Sequence, residues 1–546
     1  MKNNYSKISY LVVGLLLINF LSSKVYQRFD LTEDGRYTIS ETSKKIIENI
    51  HEVVSIKVYL EGDFPAEFKR LQTETRLHLE ELKALNKKIQ FRFINPSEIG
   101  QELIDKGMQP SSLQVQENGK LSEIVLFPFA EVSFKNKTEQ VSLLKDIFSN
   151  TQNEQLESSI QNLEFAFTNA IHKVTTKKSK KIAVLKGNGE LDDIYIADFL
   201  KKIGEYYYLA PFTLDSVATQ PQKTVHQLAN YDLAIIAKPT EKFTEQEKYT
   251  LDQFIMNGGK TLWMIDNVQA ELDSLMQTGE TLAYPRDLGL TDFFFNYGIR
   301  INPTIITDLY SSQITLATGK IGNKTQFNSF PWKYYPLVIS TNNHPININI
   351  EAVNLKFPNE IDTLKNHIKK TVLLQSSTLS AKVGTPSIVS LKSITQKEDP
   401  SKFTYGNKTL AVLLEGEFIS AYYQRVKPFN LNNSIEKSNL NKMVVISDGD
   451  IIANDIANGQ PIELGVDKWT NQQYGNKDFL LNTVNYLLDD TGLLNIRSKK
   501  ITIDFLNKQK AYKEAKKWQL INILFPLFLL SLGGLIFNYF RKRKYQ

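Results

Sequence analysis

Tyr231–Asp266 reads YDLAIIAKPTEKFTEQEKYTLDQFIMNGGKTLWMID. The apolar runs Tyr231–Ala237 and Lys260–Asp266 are too short for helices and read as strands. Between them Thr244 is followed three residues on by Glu247, the capping-box spacing, which predicts a helix over Thr244–Met256. Gly258-Gly259 ends that helix and returns the chain to the second strand. The pattern recurs on both sides. Lys181–Asp193 (KIAVLKGNGELDD) opens with a buried strand that runs into a glycine turn, Lys442–Ser447 (KMVVIS) is a further strand, and Lys477–Leu488 (KDFLLNTVNYLL) a further helix. Strands alternating with helices predict an α/β, doubly wound domain over 176–500. The stretch from about 309 to 427, rich in Asn, Ser, Thr and Pro, keeps producing short apolar runs such as TVLLQS and KTLAVLLEGEF, and is expected as a mixed insertion.

Toward the N-terminus, Val54, Ile56, Val58 and Leu60 alternate with Ser55, Lys57 and Tyr59. A helical face then carries Phe68, Leu71, Leu82 and Leu85, and Ile89, Phe91 and Phe93 alternate with Gln90 and Arg92. Strand, helix and strand at this spacing form a βαβ unit with parallel pairing. Two more strand-like runs lie at Glu123–Phe134 and Glu139–Leu144, so 51–175 is expected as a small thioredoxin-like α/β domain. Ser40 is the expected N-cap of a short helix bearing Ile46, Ile47 and Ile50. Leu156, Ile160, Leu163, Phe167, Ile171 and Val174 stripe a helix over Glu154–Val174 that should connect the two domains, and Lys177-Lys178-Ser179-Lys180-Lys181 reads as a solvated linker.

Both ends are greasy. Ile8–Leu21 (ISYLVVGLLLINFL) is short for a span, yet no small-x-small cleavage site follows it, so 1–24 is expected as an uncleaved anchor, with 25–50 a juxtamembrane segment. Trp518–Phe540 (WQLINILFPLFLLSLGGLIFNYF) is long enough to span, with Trp518 and Tyr539 near its edges. Pro526 and Gly533-Gly534 suit a membrane helix better than a soluble one. A basic juxtamembrane segment, 501–517, precedes it, and the tail Arg541-Lys542-Arg543-Lys544 falls in 541–546. Two spans put both termini on one side. They are expected in the cytoplasm, with the body periplasmic and membrane lipid in contact with the rods.

The chain has 546 residues, 42% hydrophobic and 23% charged, as a folded body of several domains requires. A net charge of +6 spread along this length makes no basic stripe for nucleic acid. Cysteine is absent, which excludes disulfides, thiolate nucleophiles, thiolate zinc sites, iron–sulfur clusters and a Cys-x-x-Cys redox role. No metal and no other cofactor is expected.

Few places remain for chemistry. Gly258-Gly259-Lys260-Thr261 resembles the end of a P-loop, but the position of its first glycine is Phe254 and the lysine opens a strand. Asn188, Gly189 and Glu190 follow a strand at the edge where doubly wound sheets place ligands, so this turn can be a binding nest or only a turn. Asp448, Asp450 and Asp455 also follow a strand, without the spacing of a Ca²⁺ loop, and read as capping and turn residues. The histidines at 51, 78, 172, 226, 344 and 367 are scattered and assemble no triad or His-Glu-x-x-His pair. Phe327, Phe330, Trp332, Tyr334 and Tyr335, broken by Pro331 and Pro336, are either a stacking platform for a sugar or partner, or core beneath a loop.

RFDLTEDGRYTIS after the first run, VYLEGDFPAEFKRL, the KGNGELDD turn, NEIDTLKNHIKKTVLLQSS with the later VGTPS, and the final apolar helix are spread from end to end. In combination they resemble the gliding-motility-associated GldG proteins of Bacteroidota, within a wider group of membrane-anchored auxiliary ABC-transporter proteins. The resemblance implies a thioredoxin-like first domain and a second domain similar to class I glutamine amidotransferases. It also implies partnership with an ABC permease subunit and, through it, a cytoplasmic ATPase. Where such a family carries histidine in a Gly-His-Gly-Glu-like turn, this chain has Asn188. The expected function is therefore a non-catalytic auxiliary component with an extracytoplasmic body. The alternatives are a periplasmic carbohydrate or peptidoglycan binder, using Asn188 and the Trp332 cluster, and a cryptic hydrolase using Asp448, Asp450 or Glu190.

Overall fold

The computed structural model describes residues 13–15, 38–62, 64–117, 120–144, 152–322, 324–340, 342–498 and 508–545, in two compact units, 1–500 and 501–546. The N-terminal apolar run lies outside the described residues except for Val13–Leu15, which are helical.

In the first domain β1 (Val54–Val58) buries Val54, Ile56 and Val58 completely, as alternation requires, and pairs in parallel with β2 (Ile89–Phe93) through the Ala66–Leu85 crossover helix. A hairpin of β3 (Ser111–Glu117) and β4 (Lys120–Leu126) forms its own two-stranded sheet. The chain then returns as β5 (Phe129–Phe134), antiparallel to β1, and β6 (Lys137–Ser142), giving the order β2-β1-β5-β6. Ser40 caps the Glu41–Glu48 helix through its side chain. The buried Glu164, on the Gln152–Thr175 helix, accepts from Ser40 N and Ser43 Oγ at 2.8 Å each and ties the two helices together. At the end of that long helix Lys173 pairs with Glu139 on β6 and with Glu205 of the second domain at 2.9 Å, so the helix contacts both domains.

The second domain is built on β7 (Lys181–Lys186), β8 (Tyr208–Thr213), β9 (Leu233–Ala237), β10 (Lys260–Met264) and β22 (Lys437–Ile446), which are mutually parallel in the order β8-β7-β9-β10-β22. Numbered within this set the order is 2-1-3-4-5, the flavodoxin-like doubly wound order. All five residues of β9 are buried, because helices cover both faces. Ile235, Leu262 and Met264 pack with Phe199 and Phe479 of the Ala197–Gly204 and Asn476–Leu488 helices. On the opposite face Ile236 and Trp263 pack with Phe254 and Phe294 of the Glu245–Met256 and Thr291–Tyr297 helices. The Glu245–Met256 helix carries the full capping box, Thr244 with Glu247, and ends at Gly258 with φ of 91°.

The stretch 309–427 is woven into this domain rather than set apart from it. Its strands β18 (Lys369–Gln375) and β21 (Thr409–Ile419) extend the central sheet beyond β22 in antiparallel pairing, to seven strands. The other strands of this stretch join three small three-stranded sheets. β12 (Glu280–Pro285) lies between β11 (Val268–Gln269) and β20 (Ser387–Ser390), and β13 (Ile299–Asp308) between β17 (Asn359–Thr363) and β19 (Ser380–Gly384). β15 (Lys324–Val338) pairs with β14 (Ser311–Ile321) and β16 (Val353–Asn354).

His344 sits against Tyr486, ring centroids 4.8 Å apart, and burial pushes its imidazole down to about 4. Its unfolded value is near 6.5, so the unfolded chain takes up this proton first as pH falls. We expect the stability it supports to be present above pH 6.5 and lost between there and about pH 4. A His344→Gln variant should show a flatter dependence of unfolding midpoint on pH across that window, and an unchanged slope would refute the assignment.

The second unit is the Lys508–Tyr545 helix. Within its Lys513–Arg543 stretch an 18-residue window reaches a mean hydropathy of 2.3 with no burial, and among the described residues this is the one helix long and apolar enough to cross a membrane. At about 1.5 Å per residue it exceeds the roughly 30 Å of a hydrocarbon core.

Candidate functional site

Parallel strands deliver their last residues to a common edge, and here that edge is charged. β9 ends into Lys238, β10 is followed by Asp266, and β22 by Asp448 and Asp450. Lys238 is buried and reaches Asp450 Oδ1 at 2.7 Å, Glu271 Oε2 at 3.0 Å and Asp266 Oδ2 at 3.6 Å. Arg286 donates to the other Glu271 oxygen at 2.6 Å. Asp266 Oδ1 accepts from Gly449 N at 2.6 Å, and fully buried Asp448 accepts from Lys356 N at 2.6 Å and Asp450 N at 2.8 Å. Lys238 adopts a left-handed φ of 54°, uncommon for a residue with a side chain, and its ion pairs hold it there. Gly449 is needed beside it, since a Cβ would meet Lys238 Cγ at 2.5 Å.

Burial pushes the Asp448 carboxyl well above its ordinary value, and the neighbouring Asp266 and Asp450 charges add to this against the backbone N–H groups. Burial likewise raises Asp266, opposed by Lys238. For Asp450 burial is outweighed by Lys238 and Lys356, and it is held below the usual carboxylate range. Burial would depress the Lys238 ammonium, but Asp450, Asp266 and Glu271 raise it instead. The network is thus a buried lysine shared by three carboxylates.

Outside the network lies a cleft of about 230 Å³, whose lining includes Tyr335, Lys356, Asp450, Asp455, Lys468 and Trp469. Asp467 Oδ1 accepts from Trp469 N, Thr470 N and Thr470 Oγ1 at 2.8–2.9 Å, a tight turn that presents the indole. Trp469 is half exposed and stacks on Phe327 with centroids 4.9 Å apart. Tyr335 is 4% exposed and its hydroxyl has no hydrogen-bond partner.

The residues singled out in the sequence fall into separate places. Asn188, Gly189 and Glu190 follow β7 at the same edge, but the turn is tied down: Thr240 N and Glu241 N donate to Asn188 O at 3.0 and 2.9 Å, and Asn188 Nδ2 to Glu247. Gly189 has φ of 71°, and a Cβ there would strike Thr240 Oγ1 at 2.1 Å. Glu190 Oε2 accepts from Asn188 N, while burial raises its carboxyl and Oε1 is left unpartnered. Trp332, Tyr334 and Tyr335 are all buried and pack with Phe357, so Trp332 and Tyr334 present no face for stacking and only Tyr335 borders the cleft. Asp448 lies in the buried network, whereas Asp450 and Asp455 reach the cleft. Lys238, Asp266, Glu271, Arg286 and Trp469 were not singled out. The usable signal was that Lys238 and Asp266 are the first charges after two buried strands.

Residues 179–483 match a family model described as an ABC-type uncharacterized transport system, the ABC-transporter auxiliary family. The chain belongs to that family. Membership in the ABC-transporter auxiliary family assigns it an accessory role in ABC-type transport. Residues 33–133 match a model described only as a domain of unknown function. No curated protein matches. Among solved structures the chain is similar to the mmIFT52 N-terminal domain, at 13% identity over 57% of this chain and 99% of that one, with a TM-score of 0.33.

Proposed function

We propose that this chain is a non-catalytic, membrane-anchored accessory component of an ABC transporter that serves gliding motility, akin to the GldG proteins. In this reading it partners a multi-span permease and, through it, a cytoplasmic ATPase. The carrying observation is the exposed apolar run Trp518–Phe540 within the final helix, on a chain of the auxiliary family. Apolar surface of that length needs lipid or another helix. A non-catalytic role is supported by how the acids at the strand ends are used: Asp266, Asp448 and Asp450 are engaged by Lys238 and by backbone N–H groups. The order β2-β1-β5-β6, with β5 antiparallel to β1, supports a thioredoxin-like first domain, and the five parallel strands support an amidotransferase-like second. In this reading the body lies in the periplasm of a two-pass inner-membrane protein.

Detergent extraction from native membranes is expected to recover the chain with a permease and an ATPase. Recovery as a lone stable species would sink the reading. Asn433 is exposed and the native chain has no thiol, so an Asn433→Cys variant should react with a membrane-impermeant maleimide in intact cells whose outer membrane has been permeabilised. Labelling only after lysis of the inner membrane would place the body on the other side.

A further inference from the structure

We propose that the cleft bordered by Tyr335, Lys356, Asp450, Asp455 and Trp469 binds a short, uncharged saccharide, with Trp469 as the stacking platform and the Tyr335 hydroxyl as a buried donor. This rests on the accessory-protein reading above and names the class of ligand its body takes. Four observations converge. The cleft lies beyond the carboxyl ends of the parallel strands, where doubly wound folds hold their ligands. Its volume of about 230 Å³ is below the roughly 300 Å³ at which drug-sized sites begin, which limits the occupant to one or two rings. Tyr335 lines the same cleft as Asp450 and Asp455, and its hydroxyl, buried beside those acids and without a partner, keeps its proton and has a hydrogen bond still to donate.

The fourth observation is the balance of charge. Asp450 is already paired with Lys238, and the remaining acids of the lining, Asp455 and Asp467, are matched in number by Lys356 and Lys468. A lining with acceptors and donors in near balance favours neither a cation nor an anion. It fits vicinal hydroxyls, which donate to carboxylates and accept from lysine and tyrosine. The half-exposed indole of Trp469, braced by Phe327, supplies the apolar face against which sugar C–H groups pack.

The test titrates the full chain in detergent with the N-acetylglucosamine disaccharide and, separately, maltose, read by calorimetry and by tryptophan fluorescence. Trp263 and Trp332 are buried, so a surface ligand on the body reports through Trp469. Saturable binding to either sugar is expected, weakened at least tenfold in Trp469→Ala and about three- to tenfold in Tyr335→Phe, which keeps the ring in its core position. No saturable binding of either sugar, equal binding by both variants, or binding of spermidine or inorganic phosphate in place of sugar would overturn the proposal. Co-purification with permease and ATPase is scored on the same preparations. Sugar binding can therefore fail while the accessory role stands, and the reverse.

Discussion

Lys238→Met is expected to destabilise the body by about 3–5 kcal/mol, because it leaves buried carboxylates without their shared cation. Methionine keeps most of the stem's volume, so the loss is electrostatic. The ammonium meets Asp450 at 2.7 Å and Glu271 at 3.0 Å from a side chain only 8% exposed. The deficit should depend on pH. Asp266 and Asp448 have folded-state affinities for the proton above their unfolded ones, so the stability they lend is present at low pH and lost as pH rises through the raised values. Removing Lys238 raises Asp266 further, and the variant should fall furthest behind the parent near pH 8 and recover part of the difference near pH 5.5. Adding Asp450→Asn should restore part of the loss, as coupled neighbours do. Urea unfolding of the full chain in detergent at both pH values reads this out. A single variant as stable as the parent at pH 8 would show that the lysine is dispensable.

Trp263→Ala should cost about 3–5 kcal/mol through the cavity it opens. Trp263 is fully buried on β10, with Phe243, Phe293 and Phe294 around it at centroid distances of 6.2, 5.7 and 5.1 Å. These rings join the sheet to the Thr291–Tyr297 helix and to the segment that leads into the Glu245–Met256 helix, so a void there loosens the edge that carries Lys238 and Asp266. Trp263→Phe is expected to be far milder, under about 1.5 kcal/mol. The indole N–H has no partner, and phenylalanine removes that unsatisfied donor while keeping an aromatic ring. Equal losses for alanine and phenylalanine would mean that shape alone, and neither volume nor the N–H, sets the cost.

Much of the architecture was legible because its causes are local. Two-residue alternation marked β1 and β2, and continuous apolar runs marked β7, β9 and β10. The capping box placed the start of the Glu245–Met256 helix at the residue where it begins. The stretch 309–427 was harder. Nothing in the composition of β18 and β21 says which sheet they join, since antiparallel pairing beyond β22 depends on a partner strand distant in the chain.

The site divides in the same way. The amino-acid order by itself determined that charged residues would follow apolar strands, that no thiol chemistry is possible, and that the final helix is apolar from Trp518 to Phe540. Which charges neutralise one another was decided only by the tertiary structure. Lys238 and Asp450 are 212 residues apart and become partners because β9, β10 and β22 end side by side. Packing likewise buried Trp332 and Tyr334 and left Trp469, an unremarked residue in a polar loop, as the exposed ring at the cleft. Burial and long-range pairing are properties of the folded arrangement: they depend on which surfaces meet, and a local window of sequence carries only the tendency to form them.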